Sequence, residues 1–146
     1  MIKRIVLALD GSPESEHSLS VTEELARATG AAVTVVHVRE MMLAPVVGGV
    51  PRRIDEDELE QRIRGQVDHL NAAGIATDLQ IVASTYAGGP AHEIVEIASQ
   101  VDAGMIVSGT RGLGLVKGLL VGSVAHRLPY LAICPVLIVP PAETDA

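Results

Sequence analysis

Two short stretches of this 146-residue chain carry residue types able to hold an anion. One is Ser108-Gly109-Thr110-Arg111-Gly112, followed after a gap by Gly122-Ser123; the other is Asp10-Gly11-Ser12. Glycine leaves backbone N–H groups uncovered, so phosphate oxygens can approach them without meeting a side chain. Where a helix opens, as the sequence predicts near Ser123, free N–H groups, the positive end of the helix dipole and a hydroxyl come together. Asp10 supplies the complementary chemistry, accepting hydrogen bonds from ribose hydroxyls or a base amine. These residue types describe a phosphate cradle beside a group that reads a sugar or base.

The distribution of charge agrees. All 18 acidic residues lie within 1–102 or 143–146, while 103–142 contains none and still holds Arg111, Lys117 and Arg127. Buried strands avoid charge and explain part of this stretch. The loop from Thr110 to Val121 should be exposed, and its lack of carboxylates suits an anionic ligand, which a carboxylate would repel. Arg111 and Lys117 are either solvated loop charges or direct phosphate contacts.

The elements that must position these groups follow from the aliphatic pattern. Hydrophobic residues make up 48% of the chain, with two Tyr and no Phe or Trp. Such composition suits strands buried on both faces. Arg4 to Asp10 reads as a first strand ending in a carboxylate, then Ser12 as an N-cap with Pro13 in the first helical position. Leu19, Thr22, Leu25, Ala26 and Thr29 give that helix its inner face, and Gly30 ends it. Ala32 to Val38 is a second strand, and 41–54 a long connector, read either as a lid or as a mere link. Asp55 opens a charged helix with Leu59, Ile63, Val67 and Leu70 inward. Asp78 to Ser84 is a third strand. Gly88-Gly89-Pro90 begins a third helix with Ile94, Val95, Ile97, Ala98 and Val101 inward. Gly104 to Ser108 is a fourth strand, a fourth helix starts near Ser123, and Pro135 to Val139 is a fifth strand. Pro129 should kink or shorten the fourth helix by removing the bond to the Ala125 carbonyl. Strands alternating with helices predict right-handed crossovers and a parallel sheet covered on both faces, one domain over 1–140 with a loose tail at 141–146.

Several classes fall away. A net charge of −7 and the lack of aromatic platforms oppose nucleic-acid binding. No apolar run is long enough to span a membrane, and Met1-Ile2-Lys3-Arg4 leads into a strand containing Asp10, unlike a signal peptide. The lone Cys134 cannot form an internal disulfide and fits a reducing cytoplasm; it reads as a small core hydrophobe. The five His lack ligand spacing, so no structural metal is expected; His37 reads as a satisfied structural group. No G-x-x-x-x-G-K-[ST] loop occurs, and the third glycine of the dinucleotide signature is missing.

What the chain does contain is G-x2-G-x9-G-[ST], met by Gly109, Gly112, Gly122 and Ser123. Joined to Ile5-Val-Leu-Ala-Leu-Asp10-Gly-Ser, His37-Val38 and Cys134-Pro-Val-Leu-Ile-Val139, this motif resembles the universal stress protein family over residues 1–140. The resemblance, to the family's ATP-binding branch, implies an adenine nucleotide alpha hydrolase-like fold with strand order 3-2-1-4-5 and about four helices. It implies base and ribose contacts at Ala8, Leu9, Asp10 and Val38, and phosphate contacts at Ser108, Gly109, Gly112, Gly122, Ser123 and Val124. It further implies ATP as the ligand, with magnesium a compatible companion of its phosphates, and a homodimer through the strand from Pro135 to Val139. That strand is apolar, and pairing it with a second copy would cover an edge that invites aggregation. Asp10 has a second reading, as the cap of the turn that follows it.

Function then divides into a nucleotide-dependent regulatory module of stress responses and an enzyme, either a slow ATPase or an adenylyl-transferring one. No catalytic base with an orienting partner stands near the motif, and no Gly-x-Ser-x-Gly elbow surrounds Ser12, Ser108 or Ser123. A phospho-receiver would need a carboxylate after the third strand, where Ser84-Thr85 stands instead. The binding module is the expectation.

Overall fold

The computed structural model describes residues 1–39, 56–84, 89–110 and 123–142. The elements, in chain order, are β1 (Arg4–Ala8), a short 3-10 turn (Pro13–Ser15), α1 (Glu16–Thr29), β2 (Ala32–Arg39), α2 (Glu56–Ala72), β3 (Thr77–Ala83), α3 (Gly89–Gln100), β4 (Met105–Gly109), α4 (Ser123–Leu131) and β5 (Val136–Val139). The five strands form one parallel sheet in the order β3-β2-β1-β4-β5. This is the three-layer α/β arrangement that the alternating elements and the resemblance predict.

Successive side chains of a strand point to opposite faces, and both faces of the central strands are dry. Ile5, Leu7, Val33 and Val35 pack with Leu19 and Ala26 of α1 and with Ile63, Val67 and Leu70 of α2. Val6, Val36 and Ile106 pack on the other face with Ala91, Ile94, Ile97 and Ala98 of α3 and Leu128 of α4. Each Val, Leu or Ile side chain among them contributes about 1.5–3 kcal/mol when fully buried. The four-residue stripe predicted on α2 is buried in full. On α3, Ile94, Ile97 and Ala98 are buried, whereas Val95 and Val101 are only partly so.

Two local departures have physical causes. The first strand ends at Ala8, short of Asp10, although Leu9 N–H still donates to Val36 O at 3.0 Å. The helical segment opens as predicted, with Ser12 in the N-cap position and Pro13 first, but as a 3-10 turn; the α-helix begins at Glu16, and the Ser12 hydroxyl donates to Asp10 and makes no cap bond. The helix does end where predicted: Gly30 adopts the left-handed φ of 73°, and its N–H donates to Ala26 O at 2.8 Å. Pro129 lies inside α4, which runs only nine residues and stops two positions beyond it. The 41–54 connector, Asp55, Lys117 and the last four residues of the tail lie outside the described residues.

Candidate site at the carboxyl ends of the strands

Ligands of open α/β sheets sit beyond the carboxyl ends of the strands, where the strand order reverses. Here the reversal falls at β1, whose neighbours are β2 and β4. The register pairs Ala8 with Val36 and Leu7 with Val107, so the ends carrying Ala8, Leu9, Val38, Ser108 and Gly109 converge. Ala8, Val38 and Val124 contribute to the same partly buried apolar surface, on the α3 and α4 face. Leu9 and His37 are buried, with 3% exposure each. Ser108 is also buried, and its hydroxyl donates to the Gly109 carbonyl at 3.2 Å. Ser123 opens α4. Arg111, Gly112 and Gly122 lie outside the described residues.

Asp10 serves the turn. Its Oδ1 accepts from Ser12 N–H at 2.9 Å and from Ser12 Oγ at 2.6 Å. Ser15 Oγ then donates to Ser12 O at 2.6 Å, and Ser18 Oγ to Ser15 O at 2.7 Å, so the entry into α1 is stitched by hydroxyls. Between Asp10 and Ser12 stands Gly11 with φ of 79°. A Cβ at this position would lie 2.9 Å from Leu59 Cδ2, 3.1 Å from its Cβ and 3.3 Å from its Cα. Only glycine meets both demands, the left-handed backbone and the close approach of α2.

The first turns of α2 close over this corner, a feature the sequence did not expose. Arg62 Nη1 lies 3.4 Å from the Gly11 carbonyl. Gln66 Nε2 donates to Glu16 Oε1 at 3.0 Å, and Arg39 pairs with Glu60. His37 Nδ1 sits 3.0 Å from Leu9 O, and since a carbonyl only accepts, Nδ1 is the donor. Its Nε2 sits 3.1 Å from Glu56 Oε2 at the start of α2. His37 is the satisfied structural group expected of it, and its partner Glu56 is visible only in the fold.

The ladder between β1 and β2 ends in an unusual way. Ala32 N–H donates to Lys3 O and Leu9 N–H to Val36 O, so even-numbered residues of β2 direct their hydrogen bonds toward β1. Val33 N–H donates to Ala76 O and Ser84 N–H to Arg39 O, which assigns the odd-numbered ones to β3. A continued ladder would therefore join Val38 N–H to Leu9 O. Among the described residues no such bond is made; the Leu9 carbonyl is taken by His37.

Elsewhere, the exposed His126 ring tilts against Tyr130 with centroids 5.8 Å apart, and His92 lies 3.6 Å from Glu96 on the same helix. Cys134 is partly buried against the α3 and α4 core, and burial pushes its thiol above the usual range. No helix among the described residues is long and apolar enough to cross a membrane.

This geometry coincides with a match to known proteins. The sequence pattern of the universal stress protein family fits residues 1–140. The chain belongs to the universal stress protein family. Universal stress protein YxiE of Bacillus subtilis is 35% identical over 95% of this chain and 99% of its own. A universal stress protein of Thermus aquaticus is likewise 35% identical, with the same two coverages. Among solved structures, a universal stress protein from Archaeoglobus fulgidus superposes with a TM-score of 0.67 at 29% identity, covering 95% of this chain and 99% of that one; that protein was solved in complex with dAMP. Family membership and fold thus agree with the strand order, the motif spacing and the three flanking segments read from the sequence.

Proposed function

We propose that this universal stress protein binds an adenine nucleotide, ATP, at the carboxyl end of its sheet and works as a nucleotide-dependent regulatory module. The observation that carries the reading is the corner between β1 and β2. There a backbone N–H at Val38 is aimed at β1 without a ladder partner among the described residues, beside the turn that holds Asp10. On the other side of β1, β4 runs into the segment bearing Gly109, Gly112, Gly122 and Ser123. The donor set fits the ligand in kind: Ala8, Leu9, Asp10 and Val38 would hold base and ribose, and Ser108, Gly109, Gly112, Gly122, Ser123 and Val124 the phosphates, with Arg111 as an added cation. Magnesium would enter with the phosphates and needs no all-protein cage. The relative solved with dAMP supports adenine nucleotides as the ligand class.

Binding is favoured over catalysis on chemical grounds. His37, the buried base beside the corner, has both ring nitrogens engaged, one on a carbonyl and one on a carboxylate. A slow ATPase or adenylyl-transfer enzyme is the second reading, and repeated rapid turnover by the purified protein would establish it. The module would work in the reducing cytoplasm, which suits the free thiol of Cys134.

The same protein would be a homodimer through the edge strand from Pro135 to Val139. Ile106 N–H donates to Pro135 O and Thr110 N–H to Val139 O, so odd-numbered residues of β5 serve β4 and the N–H groups of Val136 and Ile138 point away from the sheet. Tyr130 and Ile133, each 80% exposed, flank the α4–β5 connection. Ile138→Pro removes one outward N–H and spares the β4 ladder; sedimentation should then report monomers where the parent gives dimers.

The nucleotide reading is tested by denaturing the purified protein and weighing what it releases, with ATP expected. In a calorimetric titration, Gly122→Glu should abolish ATP binding while leaving the unfolding midpoint unchanged, since it sets a carboxylate where phosphate would lie. Unchanged affinity in that variant contradicts the reading.

A further inference from the structure

The geometry points to His37 as the positioning residue that prepares the base-reading edge of this site, an inference that rests on the adenine-nucleotide reading. A parallel ladder left to itself would continue: Leu9 N–H already donates to Val36 O, and the next bond in sequence is Val38 N–H to Leu9 O. Backbone carbonyls and amides in such a position pair almost without exception. Here the imidazole intervenes. His37 Nδ1 lies 3.0 Å from the Leu9 carbonyl and takes the place of the Val38 amide. The ring is 3% exposed, and its far nitrogen is anchored 3.1 Å from the Glu56 carboxylate at the start of α2. Held at both ends, it cannot swing away from Leu9.

The consequence is a division of labour between adjacent residues of β2. His37 satisfies the carbonyl of the strand that would otherwise close the corner. Val38 is left with an N–H directed toward β1 and with its side chain on the partly buried apolar face shared with Ala8 and Val124. An N–H donor over an aliphatic wall is what a purine edge requires, because the base presents a ring-nitrogen acceptor and a flat apolar face. His37 touches no ligand in this scheme; it keeps one hydrogen-bonding group available that the fold would otherwise consume.

Two conservative substitutions separate the two ends of the imidazole. The amide nitrogen of His37→Asn falls near Nδ1 and can still donate to Leu9 O, while losing Glu56. That of His37→Gln reaches toward Glu56 and gives up Leu9. His37→Leu gives up both. Amide hydrogen exchange in the nucleotide-free protein reads the ladder directly. The Val38 amide should exchange quickly in the parent and in His37→Asn, and about tenfold or more slowly in His37→Gln and His37→Leu, where it closes onto Leu9 O. Calorimetry with ATP should show affinity within about twofold of the parent for His37→Asn and about tenfold weaker for His37→Gln, the worth of one hydrogen bond. Inorganic tripolyphosphate, which has no base, should bind all four proteins alike. Val38 exchange that is the same in all four overturns the inference. So does His37→Asn falling as far as His37→Gln, or a tripolyphosphate affinity that falls with ATP. A parent protein that binds no ATP contradicts the nucleotide reading instead, and the exchange measurement still decides the role of His37.

Discussion

At the amino end of the sheet β1 is tied by backbone bonds on both sides, whereas at the carboxyl end the ladder between β1 and β2 breaks off after Leu9, although Ser84 N–H still reaches Arg39 O and Thr110 N–H reaches Val139 O. Ala32 N–H reaches Lys3 O, Val33 N–H reaches Ala76 O and Gly104 N–H reaches Arg4 O, each at 2.9–3.0 Å. Side chains complete that closure. Thr34, wholly buried, accepts from Arg4 Nη1 at 2.9 Å and donates to Asp78 Oδ1 at 2.8 Å. At the opposite end His37 holds the Leu9 carbonyl and the Asp10 carboxylate is folded back on its own turn. The two ends of the sheet thus differ in where backbone groups spend their hydrogen bonds, and the proposed nucleotide site lies at the carboxyl end.

Substitutions at the two ends should therefore separate stability from affinity. Gly11→Ala should have the largest effect, because it combines a left-handed backbone with a methyl group driven into Leu59. We expect a loss of about 2–4 kcal/mol in urea unfolding, with nucleotide affinity falling as the turn shifts. Asp10→Asn comes next and should act more on recognition than on stability. Its amide oxygen can keep the two contacts from Ser12, so stability should change by less than about 1 kcal/mol, while ATP affinity drops about tenfold in calorimetry. Thr34→Val is the smallest and the mirror image: a loss of about 1 kcal/mol in the same urea experiment, with affinity for ATP within about twofold of the parent. Equal losses of affinity from Thr34→Val and Asp10→Asn would erase the distinction between the two ends.

The sequence exposed those parts of this design that depend on local pattern. Leu59, Ile63, Val67 and Leu70 repeat at helical spacing, so the buried face of α2 was legible, and so was the left-handed cap at Gly30. Strand order could not come from composition; it came with the resemblance carried by Gly109, Gly112, Gly122 and Ser123. Two features of the corner escaped for the same reason. Ser12 does take the N-cap position, but Asp10 two residues earlier captures its hydroxyl, and the segment opens as a 3-10 turn before the α-helix. Asp10 looks like the end of a strand, but the ladder stops at Leu9 because a side chain from the neighbouring strand takes over its carbonyl. Both outcomes turn on competition between hydrogen-bond partners, and Leu9, His37 and Glu56 meet only in three dimensions. Asp10 itself illustrates the point, since the turn-capping and ligand-reading roles considered for it share one carboxylate.

The most direct measurement is an amide-resolved NMR titration of the full chain with ATP. Resonances of Leu9, Asp10, Val38, Ser108, Gly109 and Val124 should shift together and saturate with a single affinity, while those of Lys3, Thr34, Asp78 and Gly104 stay in place. Saturable shifts centred on the amino end of the sheet, or no saturable shift at the carboxyl end, would contradict the assignment of recognition to that end.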